Sequence, residues 1–378
     1  MDEGRGAAPA ADFGSWQEQL ANSIRTEGEL EAFIRLTPAE RDGIRLAGAR
    51  YRWGITPYYA GLMDPIDPTC PIRRQVIPSI EELSDDAGTA DPIGEEAGSV
   101  TPTLIRLYPD RVAWRVSGVC SAYCRFCFRR RLASDPPEDF SERALQTALD
   151  WIGTTPEIRD VLITGGDPFL LGDDRLRDLL GRLRAIEHVE VIRIGTRTPV
   201  TLPHRITGQL CEMLRAFHPL WINTHFNHPK ELTPLAISAC ARLADAGIPL
   251  GNQSVLLRGV NDDEPTMRRL VHGLVKARIR PYYLFQCHLN RGTAHFRTSV
   301  EQGRDIVGAL RGSTSGFAVP TFVVDTPYGK VPIQPQTILG REGDAILLRA
   351  WDGRVWREPN RAPGSEPDAR DAQGRPDA

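Results

Sequence analysis

Three cysteines, Cys120, Cys124 and Cys127, stand four and three residues apart in the stretch CSAYCRFCFRRR, among Arg125, Arg129, Arg130 and Arg131. Clustered thiolates are soft donors that suit zinc or an iron–sulfur cluster. A structural zinc would need a fourth ligand, with His225 or Cys287 as candidates. Such sites usually join two close cysteine pairs, and the chain has no second pair. An iron–sulfur cluster fits better. Three thiolates would hold three irons of a four-iron cluster and leave the fourth open for a substrate-like ligand.

The elements around the loop are set by pattern. The chain has 378 residues, 41% of them hydrophobic and 25% charged, the composition of a globular protein. A net charge of −3 gives no footprint for nucleic acid. No apolar N-terminal run and no membrane-length run occur, so a signal peptide and membrane insertion are not expected. Seven scattered cysteines, an odd number, argue against a disulfide framework and for a reducing, cytoplasmic setting.

From about residue 111, apolar β-branched runs alternate with helical stretches. RVAWRVS, RDVLIT, VEVIRIG, PLWINTH, IPLGNQSVLL and RPYYLFQC are separated by segments such as SERALQTALDWIG and EPTMRRLVHGLVKA. That alternation predicts a parallel sheet covered by helices. A partial TIM-like (β/α) barrel fits better than a doubly wound sheet, because no G-x-G-x-x-G follows the first strand. The cysteine loop then lies at the C-terminal end of that first strand, the face on which barrels do chemistry. Residues 13–60 read as amphipathic helices, with Thr37, Pro38 and Glu40 as N-cap, first and third positions of one of them. Residues 62–103 read as an extended linking region. The expected divisions are an N-terminal helical and extended segment (1–105), a barrel (106–335), a hairpin around Asp352-Gly353 (336–359) and a disordered tail (360–378).

After the second strand comes TGGDPFLL (164–171), alone an ordinary turn. Together with the C-x-x-x-C-x-x-C loop, whose last cysteine follows an aromatic residue, it resembles the signature of the radical S-adenosylmethionine superfamily. Longer runs, among them ITPYYAGLMDPIDP, YPDRVAWRVSGVCSAYCRFCFRRR, NTHFNHPKELT and LRGSTSGFAVPTFVVDTPYGK, are similar to lysine 2,3-aminomutases over about residues 15–356. The resemblance implies a [4Fe-4S] cluster on the three cysteines, S-adenosylmethionine on its open iron and pyridoxal phosphate as a further cofactor. It also implies migration of an α-amino group to the β-carbon, an electron donor such as flavodoxin or ferredoxin, and a homo-oligomer.

Site residues follow by the same resemblance. Gly165, Gly166 and Asp167 would receive the methionine amino group, and His225 and Gln253 would contact S-adenosylmethionine, although each also reads as a satisfied strand-end polar residue. Lys330 would carry pyridoxal phosphate. It lies in VVDTPYGKVPI, a loop two residues shorter than the family's glycine-rich version and interrupted by Tyr328. Arg111 and Arg106 are candidates for the cofactor phosphate, to which guanidinium forks are suited. Arg129 would hold the substrate carboxylate, while Arg130 and Arg131 could be structural or offset the cluster's charge.

The substrate turns on His288. Lysine-specific members carry an aspartate there, which with the residue matching Asp325 holds the distal ammonium. Losing one carboxylate removes a charge-assisted hydrogen bond of about 1.5–3 kcal/mol. Lysine is expected first. Arginine is the rival, because a planar guanidinium can pair with Asp325 alone, and Asp325 disfavours acidic substrates. A related lysine isomerase acting in elongation-factor β-lysylation is a further alternative, as is a non-enzymatic zinc protein. No structural zinc is expected, since no cysteine follows Cys287.

Overall fold

Residues 14–84, 88–134, 140–334, 336–343 and 345–359 are described by the computed structural model. The expected disordered tail, 360–378, lies outside them. The N-terminal region forms short helices: α1 (Trp16–Ala21), α2 (Glu27–Glu31), α3 (Pro38–Arg50), α4 (Pro57–Ala60) and α5 (Pro71–Val76). Helix α3 starts as its sequence predicts. The Thr37 hydroxyl accepts from the Glu40 amide, the Glu40 carboxylate accepts from the Thr37 amide, and Pro38 fills the first position. Helix α5 falls inside the stretch expected to be extended. Its N-cap, Cys70, makes no side-chain cap bond, and its flanks are rich in proline and aspartate, so the usual start signal is missing.

The expected strands lie in one ten-stranded sheet whose order follows the chain. Its strands are β1 (Ser99–Thr101), β2 (Leu104–Tyr108), β3 (Arg111–Arg115), β4 (Asp160–Thr164), β5 (Val191–Gly195), β6 (Leu220–Thr224), β7 (Leu250–Leu256), β8 (Arg280–Gln286), β9 (Thr321–Thr326) and β10 (Gly329–Pro332), of which β1, β2 and β10 fall outside the expected runs. Each strand from β3 to β9 pairs in parallel with the next. Strand order never reverses, which separates this singly wound partial barrel from a doubly wound sheet. Antiparallel additions edge it, β1 and β2 before β3 and β10 after β9.

Helices α6 (Arg130–Ser134), α7 (Glu142–Gly153), α8 (Asp173–Arg184), α9 (Thr198–Thr201), α10 (Gly208–Arg215), α11 (Pro234–Asp245), α12 (Glu264–Lys276) and α13 (Val300–Leu310) lie in the connections. The longer ones present an apolar stripe at helical spacing. Helix α7 buries Leu145, Ala148, Leu149 and Ile152, and α8 buries Leu176, Leu179, Leu180 and Leu183. Each buried leucine contributes about 1.5–3 kcal/mol of transfer free energy. The expected hairpin around Asp352-Gly353 is present as β12 (Ala345–Arg349) and β13 (Val355–Pro359), and a third strand, β11 (Ile338–Glu342), joins it. Among the described residues no helix is long and apolar enough to cross a membrane.

Candidate active site

The cysteine loop leaves the end of β3 and is held from outside the barrel. Backbone amides of Thr56, Tyr123 and Arg125 donate to the carbonyls of Ser121, Gly54 and Gln75 at 3.2, 3.1 and 2.8 Å, tying the N-terminal segment to the loop. Beneath it the fully buried Glu82 carboxylate accepts from Arg125 Nε and Nη2 at 2.8 and 2.6 Å, from the Ser79 amide at 3.0 Å, and from Arg130 Nη2. Burial raises this carboxyl's pKa, but the charges and hydrogen bonds of the two arginines outweigh it and hold the group below its ordinary value.

The thiols respond in the opposite sense. Burial, then the nearby Cys127, Asp167 and Cys124, pushes Cys120 well above the ordinary thiol range. Burial and Cys124 push Cys127 up to about 11. Soft donors gathered in a half-buried loop, two of them with raised thiol pKa values, are suited to a cationic centre that favours their thiolate forms. Among the described residues no three His, Cys, Asp or Glu side chains are arranged to hold a single ion. A four-iron cluster asks for a different arrangement, one thiolate per iron. The three cysteines fit that group.

His225, just past β6, stacks on Phe126 of the cysteine loop with ring centroids 5.7 Å apart, and its Nε2 lies 3.0 Å from Asn227 Nδ2. Burial and then the Arg197 charge drive its pKa well below the ordinary value, so the ring is neutral. Gln253 lies half-buried on β7, in register with Tyr283 of β8.

The glycine loop after β4 has a structural reason for its composition. Gly165 has φ +130°, and a Cβ there would meet the Ser117 carbonyl oxygen at 2.4 Å; one at Gly166 would meet the Val119 carbonyl oxygen at 2.4 Å. Two loops therefore pass in direct backbone contact, and the Gly166 amide donates to Ser117 at 2.6 Å. Asp167 differs from expectation. Its carboxylate accepts from the Thr196 hydroxyl at 2.6 Å, the Arg197 amide at 2.8 Å and the Phe169 amide at 3.0 Å. Both oxygens are committed to tying the β4 and β5 loops together, so amine recognition is not the role its geometry supports.

A second group gathers at β9 and β10. Lys330 Nζ lies 3.3 Å from Asp325 Oδ2, and the Lys330 amide donates to the Tyr108 hydroxyl at 2.8 Å. His288 Nε2 is 3.7 Å from the same Asp325 oxygen, too long for a hydrogen bond. Burial raises the Asp325 pKa, but His288 and the Lys330 charge outweigh it and the carboxyl sits below its ordinary value. Arg111 stacks over the Tyr108 ring at 3.7 Å and pairs with Asp110 at 2.8 Å, which places it beside the Lys330 turn. Arg106 goes elsewhere. It donates to the Pro109 carbonyl at 2.7 Å and lies over Trp151 of α7. A bulge between Ile105 and Tyr108 breaks the strand alternation, so Arg106 does not follow Tyr108 to the site.

Arg129 was expected beside the substrate. Its Nε and Nη2 donate to Glu95 at 2.9 and 2.6 Å, and Nη1 donates to the Thr164 hydroxyl at 3.1 Å. Arg131 pairs with Glu96 at 2.7 Å and with Asp91 at 3.8 Å. Tyr108, Glu82, Glu95 and Arg197 escaped the sequence reading. Tyr108 and Arg197 left a signal, as parts of the runs YPDR and RIGTRTPV that resemble the family.

A singly wound partial barrel with three thiols on the loop after its first parallel strand belongs to the radical S-adenosylmethionine class, and residues 114–271 match the Radical SAM superfamily. Residues 307–376 match the family described as Lysine-2,3-aminomutase. The L-lysine 2,3-aminomutase of Fusobacterium nucleatum is 48% identical over 347 residues, covering 91% of this chain and 82% of that protein. That of Clostridium subterminale is 48% identical over 360 residues, 94% of this chain and 86% of the relative. The glutamate 2,3-aminomutase of Clostridioides difficile is 45% identical over 346 residues, 91% and 82% of the two chains. The chain belongs to the lysine 2,3-aminomutase family. It is accordingly an isomerase of the radical type, and membership implies a [4Fe-4S] cluster and S-adenosylmethionine.

Proposed function

We propose that the protein is a pyridoxal-phosphate-dependent 2,3-aminomutase of a basic L-amino acid, with L-lysine as substrate. The observation that carries this reading is Asp325, a buried carboxylate whose Oδ2 faces both Lys330 and His288. Cys120, Cys124 and Cys127 would hold the cluster. Lys330 would carry pyridoxal phosphate, with Arg111 at its phosphate. When bound, the cluster with S-adenosylmethionine supplies a hydrogen-abstracting radical, and pyridoxal phosphate supplies the carrier over which nitrogen changes carbon.

The chain's own residues bind, orient and exclude water. Arg129, held by Glu95 and Thr164, would meet the α-carboxylate in a charge-assisted contact. Asp325 stays ionised and meets the distal cation. The neutral His225 ring adds no positive charge beside a sulfonium. Tyr108 fixes the backbone of Lys330, so the amine enters from a set direction.

Arginine is a second reading, favoured by one observation. Asp325 Oδ1 is buried and finds no hydrogen-bond partner among the described residues, an acceptor that would suit a donor of a guanidinium fork. Lysine remains first because relatives named L-lysine 2,3-aminomutase match nearly the whole chain. Lysine, arginine, ornithine and glutamate offered to the reduced enzyme, with kcat/KM for β-amino acid formation compared, decide the matter. Lysine should lead and glutamate should fail. An arginine lead would establish the second reading, and a glutamate lead would overturn the role given to Asp325.

A further inference from the structure

Arg197 is aimed at a cysteine of this site. Its Nη1 donates to Cys124 Sγ at 2.7 Å. Arg125 and Arg130 are matched by Glu82, Arg129 by Glu95, and Arg131 by Glu96 and Asp91. Arg197 is held from behind. Its Nη2 donates to the Tyr59 hydroxyl at 3.0 Å, to Gln75 Oε1 at 2.5 Å and to Glu231 Oε1 at 2.8 Å. Glu231 is fully buried, and it accepts in turn from the Tyr59 hydroxyl at 2.7 Å and from the amides of Asn227 and His228 at 2.6 and 2.9 Å. The guanidinium is itself 91% buried, so its charge acts on the sulfur through a poorly screening medium.

Hydrogen bonds to ligating sulfurs and the local net charge are among the factors that set an iron–sulfur potential. Adding an electron makes the centre more negative, and a fixed cation at a ligand sulfur favours that state over the oxidised one. We propose that Arg197 is a positioning residue that raises the reduction potential of the cluster through Cys124, and that Glu231 tempers it by partly neutralising the guanidinium. The proposal rests on the assignment of the cluster to Cys120, Cys124 and Cys127.

The test is an anaerobic redox titration of the reconstituted full-length protein, without S-adenosylmethionine, followed by electron paramagnetic resonance. Arg197→Met should keep its iron and sulfide and shift the midpoint downward. A tenfold loss in the reduction equilibrium reads as about 59 mV for one electron. Arg197→Lys, which retains a cation, should recover part of that shift. Glu231→Gln should move the midpoint upward, because it leaves the guanidinium charge unopposed. A structural role alone predicts no such pair of opposite signs. An unchanged midpoint in a cluster-loaded Arg197→Met protein overturns the proposal, as does a downward shift or no shift in Glu231→Gln. Should Arg197→Met not retain its cluster, the sign in Glu231→Gln decides. Wild-type iron content in Cys124→Ala would instead sink the cluster assignment, and that outcome is read separately from the midpoints.

Discussion

Glu82→Gln should destabilise the protein far more than an ordinary charge substitution. The wild-type carboxylate is fully buried and takes donors from Arg125, Arg130 and Ser79, and both arginines bracket Cys127. Glutamine has nearly the same shape but no charge, so two buried guanidinium groups lose their counter-ion. Breaking a buried pair in this way costs about 3–5 kcal/mol. That is a large share of the 5–15 kcal/mol typical of a folded domain. Urea unfolding of the anaerobically reconstituted protein at pH 7 measures it directly. A second signature comes from pH. The folded pKa of Glu82 lies below its ordinary 4.5, so its stabilisation is complete above about 4.5 and is lost as pH falls through the lower folded value. Unfolding of the metal-free chain below pH 4.5 should therefore be less pH-dependent in the variant. A loss below about 1 kcal/mol would show that the clasp is no better than a surface ion pair.

Lys330 should be the residue that binds pyridoxal phosphate covalently. Borohydride treatment should fix the label on the peptide containing Lys330, and label on Lys230 or Lys276 instead would remove Lys330 from the site. Glu95→Gln should raise KM for the amino acid about tenfold, a loss of about 1.4 kcal/mol, with kcat little changed. The reason is that Glu95 holds the Arg129 guanidinium, which is proposed to meet the carboxylate. A substrate α-carboxamide should be indifferent to the variant, and equal KM values for the natural substrate in both proteins would remove Glu95 from substrate binding.

The sheet was legible because its strands are short apolar runs bounded by turns, and the start of α3 because Thr37, Pro38 and Glu40 carry the capping chemistry in three residue types. The placement of the three cysteines on the loop after the first parallel strand was legible from spacing. The misread residues share a cause: what a polar side chain does depends on what reaches it from far along the chain. Glu82 and Glu95 stand in polar stretches that look solvated, yet their partners lie 34 to 48 residues away. Asp167 looks free after two glycines, but the β5 loop supplies two of its three donors. Arg106 sits two residues before Tyr108, and the alternation that would put both on one face fails at a bulge that nothing in the local sequence marks.

The pairing of the arginines changes what the arginine-rich loop means. Read from sequence, Arg129, Arg130 and Arg131 could compensate a negatively charged cluster. In the fold each of the three pairs with an acid of residues 82–96, Arg130 sharing Glu82 with Arg125, and the guanidinium that reaches a sulfur of the cysteine loop is that of Arg197, on a different strand end. The groups assigned to the cofactors lie on the sheet and its loops, the cysteines after β3, His225 after β6 and Lys330 on the edge strand β10. The segment outside the barrel contributes Glu82 under the cysteine loop and Glu95 against Arg129. The shape of the loop and the placement of Arg129 are thus both set by a region whose sequence reads as a linker. A change there should alter cluster retention or KM before it alters the sheet, because its contacts run to the cysteine loop and the arginines that follow it rather than to the core strands.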